Sequence, residues 1–377
     1  MCKNKKILIV CGEASGDMHA ANLIKEMKNI DSSLEFYGIG GEKSKAAGMN
    51  LLFDINKLSF VGLIEVIRNL HFIAKVKRNL VKYVKEHYIR DVILIDYPGF
   101  NLRLAKELKK LGVKIFYYIS PQLWAWGERR VEIIKRNVDL MLCILPFEKE
   151  FYKKHGVKIY YVGHPLLDNI KQYSFSDKEK FYNEHNLDPN KDILLILPGS
   201  RSHEINFLFK ETLKAAEKIK AKKNIQIIVS LSNAIEKSEL KKYLTSDSVK
   251  IIKDKTYDLM KFAKVGIIKS GTSTLEAVLL GLPFIVVYKT NPITYFIGKK
   301  LVKVKYLSLA NLLAGEKIVE EFLQNDCVAN KIAEGCEKLF EEQYRVVLIN
   351  KFEQIRKLLG EAGASKKAAE KIYESLN

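Results

Sequence analysis

The amino-acid sequence predicts an α/β protein made of two consecutive doubly wound units. Short segments rich in β-branched residues alternate with longer amphipathic segments, which is typical of strands and helices in a parallel sheet. The alternation occurs twice, on either side of a polar stretch at residues 165–191 that lacks a strand signal. A chain of 377 residues also exceeds one ordinary domain. Two such units are expected to bind ligand in a crevice between them, at the carboxyl ends of the strands.

Six strands are predicted in the first half of the chain, at residues 7–11, 34–39, 92–96, 114–119, 140–145 and 159–162. A helix is predicted over 72–87, because Phe72, Val76, Leu80 and Val84 recur every four residues on one face. Another helix is predicted over 102–111 and ends at Gly112, a common left-handed helix stop.

Five more strands are predicted in the second half, at residues 193–197, 225–230, 249–252, 265–268 and 284–288. The tail from 329 to 376 is expected to be helical and is rich in lysine and glutamate. The sequence contains no internal repeat.

Composition indicates a cytoplasmic protein that is soluble or peripheral. Apolar residues make up 47% of the chain, but no run of them reaches the ~20 residues of a membrane-spanning helix. The start of the sequence has neither the apolar stretch nor the cleavage site of a signal peptide. Five scattered cysteines without zinc-like spacing fit reduced thiols. The seven histidines form no HxxxH pair, so we expect no metal site, and His164 is interpreted as a packed residue rather than a ligand.

The charge calls for an anionic partner. Lysine and arginine outnumber aspartate and glutamate by 63 to 44, which gives a net charge of +19. Nucleic acid and an anionic bilayer are the two candidates. The sequence lacks a zinc finger, an RRM signature or a KH loop, so no nucleic-acid partner is expected.

Two turns in the first half carry candidate chemistry. The segment 12–17, GEASGD, follows the first strand and opens a helix, but it is neither GxGxxG nor a Walker loop, so neither NAD nor ATP is implied and no cofactor is expected. Asp96 ends the third strand, before a turn containing Pro98 and Gly99. A carboxylate at a strand end can deprotonate an acceptor hydroxyl, and the alternative is that Asp96 caps the turn.

Two turns in the second half are suited to phosphate. Gly199, Ser200 and Arg201 join a strand to a helix and offer backbone, hydroxyl and guanidinium donors. The segment 270–276, SGTSTLE, places hydroxyls and amides at another helix start, and Glu276 can take a bidentate bond from a ribose diol. Two such turns in one unit predict a metal-independent nucleotide-diphosphate site, whose predicted residues here are Gly199, Ser200, Arg201, Ser270, Gly271, Thr272, Thr274 and Glu276.

The motifs together resemble the lipid A disaccharide synthase family. The matching stretches run in order through almost the whole chain: GEASGD (12–17), FYGIGG (36–41), DYPGFNLRLAK (96–106), YISPQLWAW (118–126), LPFEKEFY (145–152), VGHPLLD (162–168), LPGSR (197–201), SGTSTLEA (270–277) and SLANLLAG (308–315).

The resemblance implies a GT-B fold, in which two Rossmann-like doubly wound domains face an interdomain cleft. The acceptor and membrane-side domain would cover residues 1–165, the UDP-sugar domain would cover 166–345, and helices at 346–377 would return to the first domain. It also implies an inverting hexosyltransferase that joins UDP-2,3-diacylglucosamine to 2,3-diacylglucosamine 1-phosphate (lipid X) in lipopolysaccharide biosynthesis. The products would be the β-linked lipid A disaccharide 1-phosphate and UDP.

The family pattern implies roles for individual residues. Asp96 is the candidate base, and Asn311 and Gln324 join the donor site. The resemblance implies that the acceptor side is lined by Glu13, Ser15 and Gly16. Arg129 and Arg130 fit an acceptor phosphate, or are solvated surface arginines. One departure is that this chain has Val319 before Glu320, where family members usually carry proline, which puts the local geometry before Gln324 in question.

An apolar segment at 60–67, followed by basic residues to 90, has the composition of an interfacial membrane helix. The alternative is buried core. Together with the acylated substrates that the family uses, this composition predicts peripheral association with the inner membrane. The predicted membrane residues are Phe60, Leu63, Ile64, Ile67, Lys75, Lys77, Arg78 and Lys82.

Two other functions compete with the synthase interpretation. A non-hydrolysing UDP-sugar epimerase shares the phosphate turns but acts on soluble sugars and needs no membrane surface. A basic RNA-binding protein would leave Asp96 and both phosphate turns without a role. The sequence does not determine the oligomeric state, the acyl-chain preference or the order of substrate binding.

Overall fold

A computed structural model describes residues 5–55, 69–232, 235–244 and 249–376. The chain divides into two compact units. Unit 1 contains the residues up to Lys171 and those from Glu361 onward, and unit 2 runs from Gln172 to Gly360. The first boundary lies a few residues after the predicted one at 165. The return to unit 1 begins at Glu361 rather than at 346, because the helix Glu342–Leu359 stacks its Phe352 on Phe284 of the unit 2 sheet, with ring centroids 5.7 Å apart.

Unit 1 contains a parallel sheet of seven strands in the order β3-β2-β1-β4-β5-β6-β7. The strands are β1 (Lys6–Val10), β2 (Glu35–Gly40), β3 (Met49–Asp54), β4 (Asp91–Ile95), β5 (Lys114–Tyr118), β6 (Leu140–Cys143) and β7 (Ile159–Tyr161). Every residue of β4 is buried, as expected for a parallel strand that is covered on both faces.

The unit 1 helices are α1 (Ala14–Ile30), α2 (Glu42–Ala46), α3 (Leu70–Glu86), α4 (Pro98–Lys109), α5 (Val131–Asn137), α6 (Pro146–Lys154) and α7 (Pro165–Gln172), with the C-terminal helix Ala364–Tyr373. The C-terminal helix packs on α1. Its first backbone N–H groups donate to the Asp168 carboxylate, from Ala364 at 3.2 Å and Ser365 at 3.0 Å. An acidic side chain at a helix N-terminus satisfies donors that have no intrahelical partner.

Unit 2 contains a parallel sheet of six strands in the order β10-β9-β8-β11-β12-β13. The strands are β8 (Asp192–Leu197), β9 (Ile225–Leu231), β10 (Val249–Lys253), β11 (Val265–Lys269), β12 (Phe284–Tyr288) and β13 (Glu321–Leu323). The helices are α8 (Lys178–Glu184), α9 (Ser202–Lys220), α10 (Ser238–Lys241), α11 (Thr256–Phe262), α12 (Thr272–Leu279), α13 (Pro292–Leu301), α14 (Leu309–Ala314), α15 (Ala329–Lys338) and α16 (Glu342–Leu359). The C-terminal helix of unit 1 is therefore α17.

The predicted fold class is confirmed, since both sheets are parallel and alternate with helices. All eleven predicted strands are present, with ends shifted by one or two residues. The sequence prediction missed β3 and β13, which are edge strands with partly exposed residues and so lack the apolar signal of a central strand. The polar stretch at 165–191 holds two short helices, α7 and α8. Among the described residues, no helix is long and apolar enough to cross a membrane.

The strand order places the candidate turns at the switch point of each sheet. In each sheet the chain runs outward from a central strand and then reverses to the other side, between β1 and β4 in unit 1 and between β8 and β11 in unit 2. Ligands of doubly wound sheets bind at such switch points, outside the carboxyl ends of the strands. The four turns that the sequence singled out follow these four strands.

Candidate active site

The turn after β1 packs closely against the turn after β4. Position 12 requires glycine, because a Cβ there would lie 2.2 Å from the Tyr97 ring. Gly16 is buried beside Cys11, whereas Glu13 and Ser15 are exposed at the start of α1. The first turn thus presents Glu13 and Ser15 to solvent next to the β4 end.

Asp17 in the same turn is structural. Its buried carboxylate accepts hydrogen bonds from the backbone N–H groups of Gly41 at 2.7 Å, Lys43 at 3.0 Å and Ser44 at 3.1 Å. These groups begin α2, so Asp17 caps that helix from another element.

Asp96 and Tyr97 have a left-handed backbone, with φ of 46° and 47°. Such a conformation is strained for residues other than glycine and persists where the surroundings hold it. The Tyr117 hydroxyl and the Asn101 side-chain amide donate to the Asp96 carbonyl at 2.6 and 2.8 Å, and the Asp96 N–H donates to the Tyr118 carbonyl at 3.0 Å. These three bonds all involve main-chain atoms of Asp96, and the carboxylate adds a hydrogen bond from the Tyr97 N–H.

Burial raises the pKa of the Asp96 carboxyl to about 6, with a further upward contribution from the charge of Glu13. The Tyr97 N–H lowers this pKa in part. A carboxylate with a pKa close to neutrality is a stronger base than an ordinary aspartate and is still ionised at pH 7.

Arg129 and Arg130 lie in a short 3₁₀ helix, Glu128–Arg130, in the loop after β5. The Arg130 guanidinium stacks on the Trp126 ring, 4.6 Å from its centroid, and Arg129 is exposed. The same loop is tied to α6 by the buried Glu148, whose carboxylate accepts from the Trp124 indole at 3.0 Å. Burial raises the pKa of Glu148 to about 7.

The turn after β8 packs against Glu204 of α9. Gly199 has φ 118°, and a Cβ there would lie 2.4 Å from a Glu204 carboxylate oxygen. That carboxylate accepts from the Ser200 N–H at 3.1 Å and from the Lys269 ammonium at 2.6 Å. Lys269 ends β11, so this ion pair joins the two turns that are predicted to bind phosphate. Arg201 is exposed at the N-terminus of α9.

The turn after β11 leads into α12. The Ser270 N–H donates to the Val287 carbonyl at 3.0 Å, and the Thr274 hydroxyl donates to the Gly271 carbonyl at 2.8 Å. Thr272 is exposed at the helix start, where backbone N–H groups and the helix dipole favour an anion.

Glu276 lies on α12 and accepts a 2.9 Å hydrogen bond from the Tyr257 hydroxyl. Burial raises the pKa of its carboxyl, and the Tyr257 bond lowers it in part. Tyr257 in turn contacts Tyr173, with ring centroids 5.1 Å apart.

Asn311 is fully buried, and the bonds of its side chain go to other parts of unit 2. Its oxygen accepts from the Ile318 and Val319 N–H groups at 2.8 and 2.9 Å, and its amide donates to Val319 and Glu321 at 2.9 and 2.8 Å. Asn311 therefore fixes the segment that leads to β13 from within the protein. Gln324 follows β13 with φ 51°, and its side-chain amide exchanges hydrogen bonds with the Thr290 backbone at 3.0 and 3.1 Å.

The segment in which family members usually carry proline leads into a strand. Val319 is buried, and Glu321–Leu323 pairs with β12 before a 3₁₀ turn at Gln324–Asp326.

His164 is buried in unit 1, and its Nδ1 faces the Leu166 N–H at 3.2 Å. Within the described parts of the chain, no three His, Cys, Asp or Glu residues group as metal ligands would. The predicted membrane residues at 60, 63, 64 and 67 lie outside the described residues.

Sequence reasoning missed three supporting side chains. Lys269 links the two turns of unit 2, Tyr257 holds Glu276, and Glu148 anchors the loop that carries Arg129 and Arg130. Lys269 directly precedes the SGTSTLE segment, so its position was a usable signal. Tyr257 and Glu148 meet their partners through tertiary packing, which no local pattern reveals.

The whole chain matches known proteins. The family model described as lipid-A-disaccharide synthetase matches residues 7–373. The chain is 41% identical to the lipid-A-disaccharide synthase of Nitrosococcus oceani, over 97% of this chain and 94% of that protein. It is 37% identical to that of Geobacter metallireducens, over 99% and 98%.

Solved structures share the fold at low identity. The UDP-GlcNAc 2-epimerase of Neisseria meningitidis bound to UDP-GlcNAc has a TM-score of 0.67 at 14% identity, over 98% of this chain and 100% of that chain. The calicheamicin glycosyltransferase CalG4 has a TM-score of 0.61 at 13% identity, over 99% and 95%. These likenesses agree with the GT-B architecture expected from the sequence. The family match and the sequence relatives cover nearly the whole chain, and they show that it belongs to the lipid-A-disaccharide synthase family of glycosyltransferases.

Proposed function

We propose that this chain condenses UDP-2,3-diacylglucosamine with 2,3-diacylglucosamine 1-phosphate by a single inverting displacement. The observation that carries the proposal is Asp96, a carboxylate of raised pKa on a strained turn at the switch point of unit 1. Asp96 takes the proton of an acceptor hydroxyl while the oxygen of that hydroxyl attacks the anomeric carbon of the donor. The bond to UDP breaks on the opposite face, which gives a β-linked disaccharide 1-phosphate and UDP.

Unit 2 would hold the donor. Arg201 and the N–H groups at the starts of α9 and α12 offer positive charge to the diphosphate, which carries the negative charge that develops on departure. Glu276 would bind the ribose hydroxyls, with Tyr257 fixing its orientation. Gly199, Ser200, Ser270, Gly271, Thr272 and Thr274 shape the two turns. Asn311 and Gln324 would act indirectly, by fixing the loops around β13.

Unit 1 would bind the acceptor. Glu13 and Ser15 are exposed beside Asp96, and Gly16 permits the close packing of α1. Arg129 and Arg130 would pair with the acceptor 1-phosphate, since a guanidinium matches phosphate geometry.

The test is UDP release with defined acylated substrates. We expect UDP only when donor and acceptor are both present, and no epimerisation of UDP-GlcNAc supplied alone. An epimerase, which the shared fold makes the second candidate, would instead convert UDP-GlcNAc without any acylated acceptor. Failure to release UDP from the substrate pair would contradict the proposal.

We further propose peripheral association of unit 1 with the inner membrane through α3. Val76, Leu80 and Val84 of this helix are buried against the sheet, whereas Lys75, Arg78 and Lys82 are exposed and Lys77 is half-buried. Basic side chains near an anionic bilayer each add about 1 kcal/mol of binding, and salt screens this attraction.

Replacing Lys75, Lys77, Arg78 and Lys82 with glutamine should sharply weaken sedimentation with anionic vesicles, while turnover of detergent-solubilised substrate is largely kept. A matched control replaces Lys149, Lys153, Lys154 and Lys158, which are exposed lysines in and after α6 of the same unit. Equal vesicle binding by the α3 variant and the wild type would place the docking surface elsewhere.

A further inference from the structure

Helix α13 of unit 2 is apolar in sequence and yet lies on the surface. Of the residues described on it, 292, 294–296 and 298–301, none is buried. Phe296 is 60% exposed and Leu301 is 57% exposed, and Val302 directly after the helix is 38% exposed. Three large apolar side chains exposed within seven residues indicate a surface that binds a partner.

The charge around this helix has one sign. Residues 277–315 contain no aspartate or glutamate, whereas the same stretch contains Lys289, Lys299, Lys300, Lys303 and Lys305. Lys299, Lys300 and Lys305 are exposed. The Lys300 ammonium lies 4.4 Å from the centroid of the Phe296 ring, so positive charge and apolar surface coincide on the helix.

This combination fits an anionic lipid surface. Apolar side chains flanked by lysines allow a helix to lie in the headgroup region, where rings and aliphatic chains leave water and ammonium groups meet lipid phosphates. An acidic protein partner would use the charges but would not require three large apolar groups beside them. We infer that α13 and the residues to 305 form a second bilayer-docking surface, the α13 surface, which brings unit 2 to anionic lipid.

The inference goes beyond the docking of unit 1 through α3. It rests on the proposed function in one respect, since the proposed donor is acylated and resides in a bilayer. A docking surface on the donor unit would keep the UDP-sugar turns at the membrane from which the donor is taken. Binding of the protein to vesicles that contain no substrate is a separate observable, so the two proposals can fail independently.

The first experiment measures sedimentation of the full chain with phosphatidylcholine vesicles, with and without phosphatidylglycerol. The variant carries Lys299→Gln, Lys300→Gln and Lys305→Gln. A matched control carries Lys210→Gln, Lys214→Gln and Lys218→Gln, which removes the same charge from exposed positions of α9 in the same unit. We expect the α13 variant to bind anionic vesicles at least about tenfold more weakly, the control to stay within about twofold of wild type, and UDP affinity to be unchanged in both.

The second experiment tests insertion of the apolar groups. The sequence has two tryptophans, Trp124 and Trp126, both in unit 1. Phe296→Trp therefore adds a reporter to unit 2, and its extra emission should shift to the blue on anionic vesicles and be quenched by lipid brominated in the acyl chains. The proposal is overturned if the lysine variant binds like wild type, if the control loses binding equally, or if the added emission is not quenched.

Discussion

Three hydrogen bonds to main-chain atoms fix the turn at Asp96, and its carboxylate lies beside Glu13 and accepts from the Tyr97 N–H. The surroundings of Asp96 set the pKa of its carboxyl. Burial and the Glu13 charge raise the pKa of the carboxyl to about 6, and Tyr97 fits only because position 12 is glycine. A base of this strength at pH 7 is expected from the local structure alone.

Asp96→Asn keeps the shape of the side chain and removes its ability to accept a proton. We predict that kcat falls at least ~100-fold, since general-base catalysis typically contributes this much. Stability should change little, because the three hydrogen bonds to main-chain atoms of Asp96 remain and the asparagine side-chain oxygen can still accept from the Tyr97 N–H. Steady-state UDP release and thermal unfolding of the variant are the measurements.

The pH profile provides the control. Asp96 acts as a base only when ionised, so kcat/KM of the wild type should rise with pH through about 6 and then level off. Turnover of Asp96→Asn close to that of the wild type, or a profile without this rising limb, would remove Asp96 from the mechanism.

Sequence reasoning identified candidate positions for the site but could not assign every role. Asp96, Gly199 and Arg201 stand out because they follow strands at turns. Asn311 and Asp17 belong to motifs of the family, but the structure uses them for internal hydrogen bonds. A motif identifies the residue, whereas the partner of a buried side chain depends on tertiary packing.

At the scale of elements, the two turns of unit 2 that are predicted to bind phosphate are joined to each other. Lys269 at the end of β11 pairs with Glu204 near the start of α9, and Glu204 also binds the Ser200 N–H. The sequence separates these groups, and the parallel order of β8 and β11 brings them together. Each turn was predictable from its own residues, but their connection required the sheet.

Arg201→Ala should weaken UDP binding by about 1.5–3 kcal/mol, the usual contribution of a charge-assisted hydrogen bond. Calorimetric titration with UDP measures the change, and Arg136→Ala, an exposed arginine of unit 1, serves as the control.

Excess EDTA should leave turnover unchanged. Activity that is lost in EDTA and restored by magnesium would mean that a metal, and not Arg201 with the helix N-termini, stabilises the diphosphate.

For the whole molecule, alternating apolar segments predicted two doubly wound units and their central strands. The edge strands β3 and β13 were not predicted, because they are short and partly exposed. The boundary of the returning tail also escaped prediction, since α16 and α17 have similar amphipathic sequences and only packing shows that Phe352 belongs with the unit 2 sheet.

Unit 1 contains one buried histidine, His164, and one partly buried histidine, His19, whose ring Nδ1 is buried. Burial lowers the pKa of His19 to about 4 and that of His164 to about 3, below the ~6.5 of an unfolded chain. Between these values the unfolded chain binds protons that the folded one does not. Their contribution to stability is therefore full above about pH 6.5 and is lost as pH falls towards 4.

His19→Gln removes one of these protons. Between pH 6 and 5 its free energy of unfolding should fall less steeply than that of wild type, by about 1.4 kcal/mol per pH unit for one proton. Urea denaturation followed by tryptophan fluorescence reports on unit 1, which contains both tryptophans. Identical slopes for the two proteins would show that His19 is protonated in the folded chain.

The proposed reaction is one direct displacement, with Asp96 as base and UDP as leaving group. The anomeric configuration of the disaccharide, determined by NMR on product made from the α-linked UDP donor, tests this most directly. We predict a β linkage, with inversion at the anomeric carbon. An α-linked product would require two displacements or a front-face mechanism, and would contradict the proposed single displacement.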